Sequence, residues 1–190
     1  MLDEWNERFP NCEPIAYEMK RIFRQRWVRF HSLPNSKRYP EDESEYETLL
    51  YRHNCILGEL VGTERAVVLL TTGYSESSSP VRTYPELNAL DPDAKPWQSM
   101  PMHHDDQEPT DPNYWHVFAS VWEWQSGMFD PIIRLVADHT VANVMIVHPG
   151  CRWLLHPYDG GMDVILQSPA VRGRLRAAHR DWLSSRADGL

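Results

Sequence analysis

The stretch Trp153-Leu-Leu-His-Pro-Tyr-Asp-Gly-Gly-Met-Asp-Val-Ile-Leu166, followed by Ser168-Pro169, reads as strand, glycine turn, strand and the start of a helix. Two apolar runs joined by so short a turn pair antiparallel, which places at least part of the sheet in that class. Ser168 is a cap and Pro169 suits the first helical position. The helix that follows buries Val171, Leu175, Ala178 and Trp182. His156, Tyr158, Asp159 and Asp163 gather round the turn. Asp159 can bond backbone N–H groups two residues on and the glycines can take positive φ, so a purely structural reading accounts for the motif. The alternative makes His156 and Asp159 a base or ligand of a site.

Working outward, His148-Pro-Gly-Cys151 turns a buried strand over 143–147 into the strand quoted above, and Asp130-Pro131 opens a helix to about His139. Residues 114–124 alternate, with His116, Phe118 and Trp122 on one side and Trp115, Val117 and Ala119 on the other. Ala66–Thr72 is apolar on both faces, as a central strand covered above and below should be. Over 43–60, Tyr46, Leu49, Leu50, His53, Leu57 and Leu60 recur at three and four, while Glu45, Arg52 and Glu59 face away; acids crowd the first turn and Gly62 stops the helix. A short helix over 14–23 and a strand over 26–32 precede it. The expected fold is α+β: a single mixed, partly antiparallel sheet of about five or six strands flanked by about three or four helices. One domain spans 1–190, with a long acidic loop over about 73–113.

The charge is uneven. Residues 1–38 carry eight Lys/Arg and five Asp/Glu, residues 39–113 carry four and fifteen, and residues 114–190 carry seven of each, within a net charge of -8. An acidic middle disfavours nucleic acid as a partner. Eight Trp, eight Tyr and five Phe in 190 residues supply a core large enough to need no staple. Three cysteines at wide spacing, Cys12, Cys55 and Cys151, form no CxxC pair and suit a reducing compartment. No apolar run approaches membrane-spanning length and no secretory signal is visible, so the expected location is cytoplasmic, with no membrane partner.

Several constellations bear on chemistry. His31-Ser-Leu-Pro-Asn-Ser-Lys37-Arg38-Tyr39-Pro40 lies between a strand and a helix, where Lys37, Arg38 and Tyr39 can hold an anion near backbone N–H groups; without glycines it is no P-loop. His53 sits on an apolar helix face and reads first as a hydrogen-bonded core residue, with catalysis as the alternative. His103 and His104, beside Asp105 and Asp106, are weak metal candidates, because neighbours in an extended segment point opposite ways. Arg172, Arg176 and Arg180 form a stripe beside the buried face of the last helix. No complete catalytic motif is present, and neither a metal nor a cofactor is expected.

Tyr158-Asp159-Gly-Gly-Met-Asp163-Val-Ile165, with the closing Trp182-Leu183, resembles a bacterial domain family of unknown function. Its members end in a Tyr-Asp-Asp-Arg-Gly-x-Asp-Val-Ile turn, a helix and a Trp-Leu or Trp-Ile pair. Here the turn is one residue shorter and lacks the arginine, so any role of that arginine does not carry over. Arg29-Phe30-His31 is similar to the family's early strand. The resemblance implies a cytoplasmic bacterial protein and brings no established activity.

Two functions follow as expectations. The first is a non-enzymatic protein-binding domain, of the immunity or antitoxin kind, that neutralises a partner with a basic surface. Asp105, Asp106, Glu108 and Asp111 would supply charge and Trp97 an anchor. The second is a small enzyme or ligand-binding domain for a phosphate-bearing metabolite, using His31, Lys37, Arg38, His156 and Asp159, with His53 as a further proton-transfer candidate.

Overall fold

A computed structural model describes residues 2–102, 113–184 and 186. In chain order it holds helices α1 (Leu2–Arg8) and α2 (Ala16–Ile22), strand β1 (Trp27–His31), a 3-10 turn (Pro34–Ser36), α3 (Glu43–Val61) and β2 (Ala66–Ser75). Then come α4 (Pro85–Leu90), β3 (Lys95–Pro101), β4 (Tyr114–Glu123), α5 (Asp130–Ala137), β5 (Met145–Val147), β6 (Trp153–Tyr158), β7 (Gly161–Leu166), α6 (Pro169–Ala178) and a closing 3-10 turn (Arg180–Trp182). The class is α+β, as expected.

The described strands form one seven-stranded sheet in the order β1-β7-β6-β5-β2-β4-β3, and every neighbouring pair is antiparallel. This corrects the expectation of a mixed sheet of five or six strands flanked by three or four helices: the described residues hold seven strands and six α-helices. The additional strand, β3, lies inside the segment 73–113 that reads as a loop. Pro96 and Pro101 disguise it, yet proline is compatible with a sheet edge, where one side of the strand has no ladder to join. The helix in the same segment, α4, starts with Pro85 at its first position.

β2 is the central strand its sequence suggests. Val67 and Leu69 enter one core and Val68 and Leu70 the other. The first core packs α3, α4, α5 and α6 on one face of the sheet through Leu49, Ile56, Leu87, Ile133 and Leu175. The second is closed by α1 and α2 through Trp5, Phe9 and Met19. Asp42 caps α3 by accepting from Glu45 N at 3.0 Å, and Ser168 caps α6 by accepting from Val171 N at 3.3 Å. Asp130 is the first residue of α5 rather than its cap; its carboxylate accepts from Asn54 Nδ2 at 2.7 Å, and Asn54 Oδ1 accepts from Gly127 N at 2.8 Å. Asn54 therefore ties α3 to the entrance of α5. No helix among the described residues is long and apolar enough to cross a membrane.

His53 is 1% exposed, its Nδ1–H donates to Leu49 O at 2.8 Å, and Nε2 is buried with no hydrogen-bond partner. Burial pushes its pKa down to about 4. The unfolded chain takes up this proton first, near the ordinary value, so the group makes stability fall as pH drops from about 6.5 to about 4 and adds no slope above that window. The full effect is on the order of 3 kcal/mol, of which about 2 kcal/mol is gone by pH 5. Urea titrations at pH 7.5 and pH 5 should show the wild type losing about 2 kcal/mol more than His53→Gln over that interval. Equal losses in the two proteins would contradict the assignment.

Candidate functional site

Four of the polar residues chosen from the sequence, His31, Arg38, His156 and Asp159, lie at one end of the sheet, where β1 runs out and the β6–β7 hairpin turns. β1 pairs with β7 so that His31 lies opposite Gly161, and Ser32 N then donates to Gly160 O at 3.1 Å. The segment after β1 consequently runs close over the hairpin. A hollow opens on either side of it.

The first hollow, of about 410 Å³, lies between the 3-10 turn after β1, the middle of α3 and the closing turn at Trp182. Its floor holds Arg52, which is only 9% exposed. Arg52 Nη1 donates to His31 O at 2.9 Å, and the guanidinium stands 5.2 Å from the centre of the Trp182 ring. No described carboxylate lies within ion-pair distance of it. Burial alone lowers its pKa, with no acid to offset the penalty. Beside it the His31 pKa is lowered, first by burial and then by the charges of Arg29 and Arg52, and His31 Nε2 is buried without a partner. Asn35 and Ser36 both adopt left-handed backbone, at φ 56 and 58, a conformation that costs energy in residues other than glycine. Asp181 sits on the rim with its side chain in solvent, 3.6 Å from Arg180.

The second hollow, of about 380 Å³, is walled by Tyr17, Trp115 and Tyr158 and holds Arg38, His139, Asn143, His156 and Asp159. Asp159 is buried. Its Oδ2 lies 2.6 Å from Arg38 Nε, an ionic contact, and 3.4 Å from His139 Nε2, and neither group aligns a hydrogen-bond donor on that oxygen. Asn143 Oδ1 accepts from Ala16 N at 2.7 Å, holding the start of α2, while its Nδ2 is buried without a partner. His156 Nδ1 donates to Val144 O at 2.9 Å and burial lowers its pKa, which leaves a neutral ring at pH 7. Burial raises the pKa of the Tyr158 phenol.

Of the residues selected from sequence, Arg38, His156 and Asp159 share the second hollow and His31 lines the first. Lys37 belongs to neither: its Nζ donates to both carboxylate oxygens of Glu45, at 2.6 and 2.7 Å, and lies 3.2 Å from Glu41. Tyr39 is exposed, with its ring 5.1 Å from that of His139. His53 is a core residue. Trp97 is in β3, its ring 5.4 Å from Trp5 in an edge-on contact. His103, His104, Asp105, Asp106, Glu108 and Asp111 lie outside the described residues, and among the described residues no group of three or more His, Cys, Asp or Glu could hold a metal. Asp163 has structural partners: Trp27 Nε1 donates to Oδ1 at 2.8 Å, and Arg29 donates to both oxygens at 2.8 Å. Of the arginine stripe on α6, Arg172 Nε donates to Trp27 O at 2.9 Å.

The residue that sequence reasoning missed is Arg52, read above as facing away from the core. It lies three after Leu49 and four before Ile56, both fully buried, and that spacing was the available signal. The closing turn at Trp182 covers this flank of α3, which the periodicity of α3 alone does not reveal.

A family model described as a domain of unknown function (DUF3885) matches residues 15–187. That bears out the expectation of an uncharacterised domain family. Comparison with curated proteins and with solved structures gave no match.

Proposed function

The chain belongs to the DUF3885 family of domains of unknown function, and from its own residues we propose that it is a binding domain for a small phosphate-bearing metabolite, held at Arg52. The observation that carries this reading is a buried guanidinium without a carboxylate. Buried charges are paired in stable proteins because desolvation costs several kcal/mol per ion, so an anion from solution is the natural complement. Arginine presents a planar fork that accepts phosphate oxygens in two parallel hydrogen bonds. His31, neutral at pH 7, adds a ring nitrogen on the same wall, and the left-handed Asn35-Ser36 turn resembles the backbone nests that face anions. The protein-partner expectation rests on Asp105, Asp106, Glu108 and Asp111, which lie outside the described residues. A cytoplasmic setting fits both the free cysteines Cys12, Cys55 and Cys151 and a phosphorylated ligand.

The test is thermal unfolding with inorganic phosphate, a set of sugar phosphates and nucleoside monophosphates. A ligand of this class at about one hundred times its Kd should add about 2.7 kcal/mol, or about 5–10 °C in Tm for a chain of this size. Arg52→Met should abolish the shift while leaving the ligand-free protein as stable or more stable, since an unpaired buried charge has been removed. Lys37→Gln should leave the shift intact. A flat response across all these anions, or a full shift in Arg52→Met, would refute the reading.

A further inference from the structure

A cavity of about 780 Å³ lies away from both hollows, where β3 and β4 meet the loop after α4. Val68, Pro96, Trp97, Ala119, Trp122 and Pro149 give it an apolar lining. Two groups of opposite polarity on this lining lack partners. Asp91 is 1% exposed; its Oδ2 accepts from Ser120 Oγ at 2.8 Å, but Oδ1 is buried with no hydrogen-bond partner. The Trp97 indole N–H is likewise buried and unpartnered. Arg82 donates to the backbone oxygens of Asp91, at 2.5 Å, and Pro92, at 3.4 Å, and hydrogen-bonds neither oxygen of the Asp91 carboxylate. Glu4, Asp93 and Lys95 also line it.

We propose that this cavity is a second binding site, for a small arylalkyl amine that also carries an oxygen acceptor. The ammonium group would complement Asp91 Oδ1, the oxygen would accept from the Trp97 N–H, and the aryl ring would occupy the apolar wall. An apolar cavity with a few convergent polar groups is the usual form of a small-molecule site, and a cation near indole faces gains further attraction. Burial raises the Asp91 pKa, with Ser120 and Arg82 partly opposing, as expected for a carboxyl group held without a counter-ion.

Three ligands on one scaffold test the proposal on the full chain: 2-amino-1-phenylethanol, 1-phenyl-1,2-ethanediol and mandelate keep the ring and hydroxyl and change only the end group. Tryptophan fluorescence, sensitive to Trp97 and Trp122 in the wall, should report saturable binding of the amine at least about tenfold tighter than the diol, with mandelate weaker still. Asp91→Asn retains an acceptor for Ser120 and should reduce the amine's advantage to within about threefold. Arg52→Met should leave amine binding unchanged, which separates this site from the anion site. Diol or mandelate binding as tightly as the amine to the wild type overturns the proposal, whatever the variant does, and so does the lack of a saturable response to all three.

Discussion

Gly161→Ala is expected to destabilise the protein by at least about 3 kcal/mol, at or beyond the upper end of the usual range for overpacking. A Cβ at this position would fall well inside van der Waals contact with Phe30 O and would also lie 3.0 Å from Tyr158 Oη and 3.1 Å from His31 Cα. Two of those three atoms are backbone of β1, the strand paired with β7, so relief requires the sheet edge to separate. Separation would expose Phe30 and Val28, both buried in the first core. The neighbouring glycine is a control. At Gly160 the nearest atoms to an added Cβ are side-chain carbons, Tyr158 Cε2 at 3.1 Å and Arg38 Cγ at 3.2 Å, which can give way. Urea unfolding monitored by tryptophan fluorescence should therefore show Gly160→Ala within about 1 kcal/mol of wild type and Gly161→Ala far below it. Similar losses in both would mean that the close approach to Phe30 has been misjudged.

That comparison marks where sequence reasoning stops. The glycine pair after Asp159 announces a turn, and the expected physical reason was positive φ. Neither Gly160 nor Gly161 adopts it; among the described glycines it occurs at Gly62, the expected end of α3, and at Gly127. Gly161 is needed because another strand passes too close for a side chain, a fact about β1 that no local pattern in the hairpin contains. The same limit explains the site. Arg38, His156 and Asp159 were legible as a group because two flank the hairpin turn and the third follows the strand that pairs with it. Arg52 was missed although it is spaced three and four from Leu49 and Ile56; the Trp182 ring that stands over it comes 130 residues further along the chain. Periodicity within an element found both faces of β2 and the apolar stripe of α3, Arg52 apart. The edge strand β3 and the helix α1 were not legible: β3 carries two prolines, and α1 shows Trp5 with Phe9 just past its end.

The second large effect is expected at Asp163. Asp163→Ala should cost about 3–5 kcal/mol, the range for breaking a buried ion pair from one side. Arg29 and Asp163 are directly opposite each other on β1 and β7, with side chains 12% and 5% exposed, and the contact is bidentate. Removing the carboxylate leaves the Arg29 guanidinium largely out of water with the Tyr158 and Trp27 rings, 4.4 and 5.6 Å away, as compensating neighbours. It also strands the Trp27 indole N–H, which donates to the same oxygen. Asp163→Asn keeps an acceptor for Trp27 but not the charge, so its loss should be smaller. Replacing both partners by apolar groups of similar size, as in Arg29→Met with Asp163→Leu, removes the unpaired charge and should recover much of the stability lost in Asp163→Ala. Recovery in the double variant distinguishes a desolvation penalty from simple loss of packing, because the latter would add further loss with the second substitution. Chemical denaturation of the four proteins decides it, and a double variant less stable than Asp163→Ala would show that this pair contributes through its own attraction rather than by avoiding an isolated charge.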